Sequence, residues 1–133
     1  MKIKHGMILA AGLGKRMQPL TLNTPKPLLK IGNKTLLERS INLLINHGIE
    51  EIVINIHHLS QQIEQYISNF SSKANLIISN EKNLLLDTGG GVKEGTKHFK
   101  ENPFLVVNPD TCWDEKHSSD LLSLEQFYYK NQK

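Results

Sequence analysis

One cysteine, Cys112, stands in 133 residues, so the chain forms no internal disulfide and a reducing, cytoplasmic setting is expected. Long apolar runs are missing as well. The longest, such as Met7–Ala11 and Phe104–Val107, fall far short of the ~20 residues a membrane-crossing helix needs, so no membrane partner is expected. Nor does the start read as a signal peptide, because the apolar stretch after Met1–His5 ends in glycine and charge rather than at a cleavage site. Charge of one sign is scarce: 16 Lys and Arg against 13 Asp and Glu leave a net +3. That excess suits phosphate-bearing ligands and is too small and scattered for nucleic acid. Internal repeats and low-complexity segments are absent. What remains, 38% hydrophobic and 22% charged residues, excludes a disordered chain and is enough for one soluble domain over 1–133 with a real core.

Short apolar runs alternate with helical periodicity. Gly6–Ala10, Glu51–Ile56, Leu76–Ser79 and Phe104–Asn108 read as strands, the first two buried on both faces. Between them, Leu36–His47 carries Leu37, Ile41, Leu44 and Ile45 on one face, with Asn33 or Thr35 to cap it and Gly48 to end it. Ser60 is expected to cap a helix reaching Phe70, and another helix is expected after Thr88 towards Lys100. Ser118–Tyr129 spaces Leu121, Leu122, Leu124, Phe127 and Tyr128 near-helically. The expected fold is therefore α/β: a mostly parallel sheet between helix layers, with ligands outside the carboxyl ends of its strands.

Chemistry concentrates in the long loop after the first strand. Leu9, Ala10, Ala11, Gly12, Leu13, Gly14, Lys15, Arg16 and Met17 follow one another there. Small residues let the backbone approach a ligand, successive N–H groups cradle phosphate oxygens, and Lys15 and Arg16 add charged donors. The glycines alone would equally fit an ordinary turn. Two familiar phosphate motifs fail: the dinucleotide fingerprint wants glycine where Met17 stands and an acid where Asn55-Ile56 close the second strand, and a Walker A loop wants Ser or Thr at Arg16. Further on, Pro25 and Pro27 flank Lys26 and are expected to hold its backbone extended. Such a lysine fits either a stiff exposed linker or a second anion brought beside the first.

Leu-Ala-Ala-Gly-x-Gly-x-Arg-Met-x-Pro-Leu-Thr followed by Pro-Lys-Pro-Leu resembles the signature of the sugar-1-phosphate nucleotidylyltransferases, the nucleotide-sugar pyrophosphorylases. Thr88-Gly89-Gly90-Gly91 resembles their second glycine motif, and Val106-Val107-Asn108-Pro109-Asp110 their strand ending in a metal-binding Asp, in matching order over residues 1–115. Within the family the chain is most similar to short bacterial proteins acting on hexose-type 1-phosphates, the N-acetylmuramate-1-phosphate uridylyltransferase and mannose-1-phosphate guanylyltransferase groups.

The resemblance implies a Rossmann-like, three-layer α/β/α domain and a reaction that joins a sugar 1-phosphate to the α-phosphorus of UTP or GTP and expels pyrophosphate. It implies that Leu9, Ala10, Ala11, Gly12, Gly14 and Lys15 hold the nucleotide and that Arg16 stabilises the departing phosphates. Lys26 would bridge the two reacting phosphates, and Gly89, Gly90 and Gly91 would pass under the base or ribose. Asp110 would bind Mg²⁺. Two departures stand out. Pro109 replaces the usual glycine before the metal Asp, and the later strands that supply a second Asp and most sugar contacts are not present. The chain is thus expected to be truncated, the nucleotide-binding front of an enzyme, or a product that works with a partner. Its apolar tail, Leu121–Tyr129, is expected to cover the open sheet edge or to join two copies as a homo-oligomer. Two alternatives stay open: a nucleotide-binding half-domain without turnover, and transfer to a non-sugar acceptor.

Overall fold

A computed structural model describes residues 2–12, 19, 21–81, 88–109 and 113–131. Four parallel strands form the sheet: β1 (His5–Leu9), β4 (Glu51–Ile56), β5 (Asn75–Asn80) and β6 (Phe104–Val107), in the order β5-β4-β1-β6. The chain steps outward from β1 to β4 and β5, then returns to the other side of β1 for β6. The strand order therefore reverses between β1 and β6, which is where ligands settle in open α/β sheets.

Alternate residues of each strand face opposite layers. Ile8, Ile52, Ile54, Leu105 and Val107 point to the face covered by α1 (Leu36–His47), α2 (Ser60–Ser68) and α4 (Ser118–Lys130), where Leu37, Ile41, Leu44, Ile63 and Leu121 complete the main core. Met7 and Val53 point to the other face and pack with Phe99 and Val92 beneath α3 (Thr88–Gly95). The three-layer expectation is met.

Local chemistry explains most boundaries. Thr35 caps α1 by accepting the Glu38 N–H at 3.0 Å, and Gly48, at φ +108°, ends it in the left-handed region. A short hairpin, β2 (Lys30–Ile31) and β3 (Lys34–Thr35), precedes α1 and turns on Gly32 at φ +72°, a feature the sequence reading did not separate from the loop. Tyr66 of α2 reaches back to the α1 cap, its hydroxyl 3.1 Å from Thr35 Oγ1. Burial, then the nearby Glu38 carboxylate, raises the Tyr66 pKa, although the bond to Thr35 opposes this.

Three expectations need correction. Ser60 is the first helical residue of α2 rather than its cap; Leu59 holds the cap position at φ +53° and has no side-chain acceptor. The chain at Lys26–Leu28 is a single 3₁₀ turn, not extended, closed by the Leu28 N–H on the Pro25 carbonyl at 2.9 Å. Pro27 tolerates this because a helix's first N–H groups have no internal partner to lose. The third helix stops as an α-helix at Gly95 and runs on as a 3₁₀ segment, Thr96–Phe99; Gly95 lies against the sheet, where a Cβ would be 2.7 Å from Met7 Cε. In α4, which forms over the expected stretch, Leu121 and Glu125 are buried and Tyr129 is half-buried, while Leu122, Leu124, Phe127 and Tyr128 are exposed. The Glu125 carboxylate accepts the Ile3 N–H and lies 3.2 Å from His47 Nε2.

Candidate functional site

β1 ends at Leu9 because its ladder partner changes there. Leu9 still pairs with Asn55, but the next N–H, of Ala10, donates to the Asn55 side chain, to Oδ1 at 2.6 Å. The ladder was expected to continue to Ala10; a side chain takes that place and the backbone turns off the sheet. Ala10 and Ala11 are buried, and Gly12 is exposed, with no described protein atom within 4 Å of where its Cβ would lie.

Around this opening the carboxyl ends of the strands supply polar groups. Asn55 Nδ2 donates to Glu81 Oε1 at 3.2 Å, just beyond β5, and the Glu81 N–H continues the ladder to the Ile56 carbonyl at 2.7 Å. Both side chains are almost fully buried. Gly91 of α3 lies directly against them: a Cβ there would be 2.8 Å from Asn55 Nδ2 and 2.8 Å from Glu81 Oε1. The close approach anticipated for the second glycine motif is thus an approach to protein, at Gly91. Gly89 and Gly90 sit in the first turn of the same helix.

The segment carrying Lys26 is tied to α2. His58 Nε2 lies 2.8 Å from the Thr21 carbonyl, to which its N–H donates, and Gln62 Nε2 donates to the Asn23 carbonyl at 2.7 Å. His57 Nδ1 lies 2.6 Å from the Glu81 carbonyl. The two histidines therefore serve different backbone partners. On the other flank, Pro109 is buried after β6, and the Trp113 indole N–H donates to the Asn108 carbonyl at 3.0 Å.

The sheet order, the loop leaving β1 at the strand reversal and the glycine-bearing helix against it are features that fold comparison tests directly. A model of the nucleotidyl transferase family matches residues 5–130. The chain belongs to the nucleotidyl transferase family. It is 36% identical over 115 residues to an N-acetylmuramate alpha-1-phosphate uridylyltransferase of Caulobacter vibrioides, covering 84% of this chain and 48% of that one. It is 43% identical over 109 residues to the protein of the same name in Neisseria meningitidis serogroup B, covering 81% and 47%. A UDP-glucose pyrophosphorylase solved in complex with UDP-glucose shares the fold, with a TM-score of 0.81, 24% identity and 96% of this chain covered against 54% of that one. The chain spans about half the length of the curated relatives it matches.

For this nucleotidyl transferase chain, the structure brings Leu9, Ala10, Ala11 and Gly12 to one end of the sheet with Gly91, and ties the Lys26 segment down to α2. Gly14, Lys15, Arg16 and Asp110 lie outside the described residues, as do Leu13 and Cys112. Among the described residues no group of three or more His, Cys, Asp or Glu could hold a metal ion. The residues the sequence reading missed are Asn55, Glu81 as its partner, and His58. Their signal was present but faint: Asn55 is a polar residue inside the apolar run Ile52-Val53-Ile54-Asn55-Ile56, where an unsatisfied amide would be costly.

Proposed function

We propose that the chain is the nucleotide-binding part of an enzyme that transfers a nucleoside monophosphate from UTP or GTP to a sugar 1-phosphate. The observation that carries this reading is the family match over residues 5–130, joined to a loop that leaves β1 at the strand reversal with its Gly12 face open. In the reaction a phosphate oxygen of the sugar 1-phosphate attacks the α-phosphorus, the bond to the bridging α–β oxygen breaks, and pyrophosphate leaves. Such chemistry needs positioning and charge neutralisation more than covalent help. The loop from Ala10 to Gly14 holds the nucleotide, partly through backbone N–H groups beyond that of Ala10, which Asn55 Oδ1 takes; Lys15 adds charge, and Arg16 stabilises the departing phosphates. Lys26 offsets repulsion between the α-phosphate and the incoming sugar phosphate. Asp110 is the residue for Mg²⁺, which when bound neutralises phosphate charge. A cytoplasmic setting goes with nucleoside triphosphate as co-substrate and with the single cysteine.

A second reading is a nucleotide-binding unit without turnover of its own. One set of measurements separates them. Thermal unfolding with UTP, GTP, CTP, ATP or dTTP and Mg²⁺ should show a raised midpoint for one base, because a ligand that binds only the native state stabilises it by mass action. Pyrophosphate release with sugar 1-phosphates then supports transfer, and Arg16→Ala and Asp110→Asn should abolish it with unchanged midpoints. Release retained in both variants overturns the assigned roles; a nucleotide shift with no release for any sugar phosphate favours the binding unit.

A further inference from the structure

We propose that Asn55 is the positioning residue of the nucleotide loop, fixing where the chain leaves β1 and holding Glu81 against the glycine helix. Its role in ligand binding rests on the proposed function; its role in setting the backbone does not. Asn55 is 4% exposed, is the register partner of Leu9 on one side and of Ser79 on the other, and so stands at the last paired position of β1. Beyond that position a parallel ladder would carry the chain straight on. Instead the Asn55 carboxamide accepts the Ala10 N–H at 2.6 Å and donates to Glu81 Oε1 at 3.2 Å.

Those two partners dictate the residue type. Ala10 N–H can only donate and a Glu81 carboxylate can only accept, so the side chain between them must present an acceptor and a donor on one short, rigid plane. Asparagine does so. Aspartate would satisfy Ala10 and set two carboxylates against each other; leucine would leave both groups buried without this partner. Gly91 completes the arrangement, since its missing Cβ leaves the space that Asn55 Nδ2 and Glu81 Oε1 occupy, each 2.8 Å from where the Cβ would lie. A shift of the amide would therefore move the loop start and the floor under it together. His57, bound to the Glu81 carbonyl at 2.6 Å, fixes the same residue from its backbone.

The test is a polarity swap. Asn55→Asp should weaken binding of the nucleotide that the wild type responds to by about tenfold or more, measured well below both melting midpoints, because a charged hydrogen bond is replaced by repulsion. Adding Glu81→Gln should recover most of that loss, since the new carboxamide can then donate to the new carboxylate while Ala10 N–H still has its acceptor; Glu81→Gln alone completes the cycle. The Ala10 and Gly12 amide NMR resonances should move in Asn55→Asp and return in the double variant, a readout that needs no nucleotide. Unchanged affinity and unmoved resonances in Asn55→Asp overturn the proposal, as does a double variant no better than the single one. Should Asn55→Asp fail to fold, the double variant decides alone: wild-type-like amide positions support the proposal, and displaced ones or failure to fold overturn it. A wild type that binds no nucleotide defeats the proposed function and leaves the amide resonances to judge Asn55.

Discussion

At the amino end of the sheet, Glu125 of α4 accepts the Ile3 N–H ahead of β1 and faces His47 at the end of α1. At the carboxyl end, Asn55 accepts the Ala10 N–H just after β1 and donates to Glu81. Each contact supplies a buried side-chain acceptor to a backbone N–H flanking the same strand. The amino end uses an ionisable pair, with His47 and Glu125 side chains only 4% and 5% exposed, and a helix closes over it. The carboxyl end uses a neutral amide, and beyond it Gly12 is exposed, with no described atom near its Cβ position. A buried ionisable pair requires a fixed, closed surround, because removing one partner leaves the other polar group buried without it. A neutral amide can anchor a chain that must then leave the sheet and face a ligand. One end thus serves the fold, and the other serves both fold and site.

The largest effect should come from breaking the sealed end. Glu125→Ala leaves the Ile3 N–H and His47 without their partner and should cost about 3 kcal/mol in denaturant unfolding. Nucleotide affinity below the midpoint should stay unchanged; a loss under about 1 kcal/mol would mean that solvent or a rearranged α4 takes over the contact.

Glycine substitutions sharpen the other side of the comparison. Gly91→Ala drives a methyl into the Asn55–Glu81 pair and should cost about 2 kcal/mol, as overpacking does. At Gly12 the same methyl meets no described atom, so Gly12→Ala should change stability by less than about 0.5 kcal/mol while weakening nucleotide binding. Equal stability costs at the two positions would show that the carboxyl end is as closed as the amino end.

The smallest effect belongs to neither end. Tyr66→Phe removes the hydroxyl beside Thr35 and should cost about 1 kcal/mol near neutral pH. The Tyr66 pKa is raised in the folded protein, chiefly by burial, so folded protein holds the phenolic proton more tightly than unfolded chain. That contribution is full below the ordinary tyrosine value of about 10 and is lost as pH rises through the folded value. Melting midpoints should therefore fall more steeply above pH 10 in the wild type than in Tyr66→Phe.

Much of this architecture was legible in the residues. Leu36–His47 was readable as α1 because Thr35 and Gly48 mark its ends by local hydrogen bonding and a left-handed φ, and Glu51–Ile56 was readable from its apolar run. Ser60 misled because a serine before a helix is an excellent cap only when the chain enters it extended. Here Leu59 turns left-handed while His58 and Gln62 hold the preceding loop. Lys26 misled because two prolines restrict φ without excluding a 3₁₀ turn.

The sequence by itself determined the kind and order of the four sheet strands and of the helices between them, and both ends of α1, since these depend on neighbours within a few residues. Only the tertiary structure decided that α4 buries Glu125 and that the Asn55 side chain accepts the Ala10 N–H and donates to Glu81. Those outcomes rest on contacts between residues far apart in the chain: 122 positions for Ile3 and Glu125, 45 for Ala10 and Asn55, and 26 for Asn55 and Glu81. No helical or strand period encodes such pairs; the register of the folded sheet creates them.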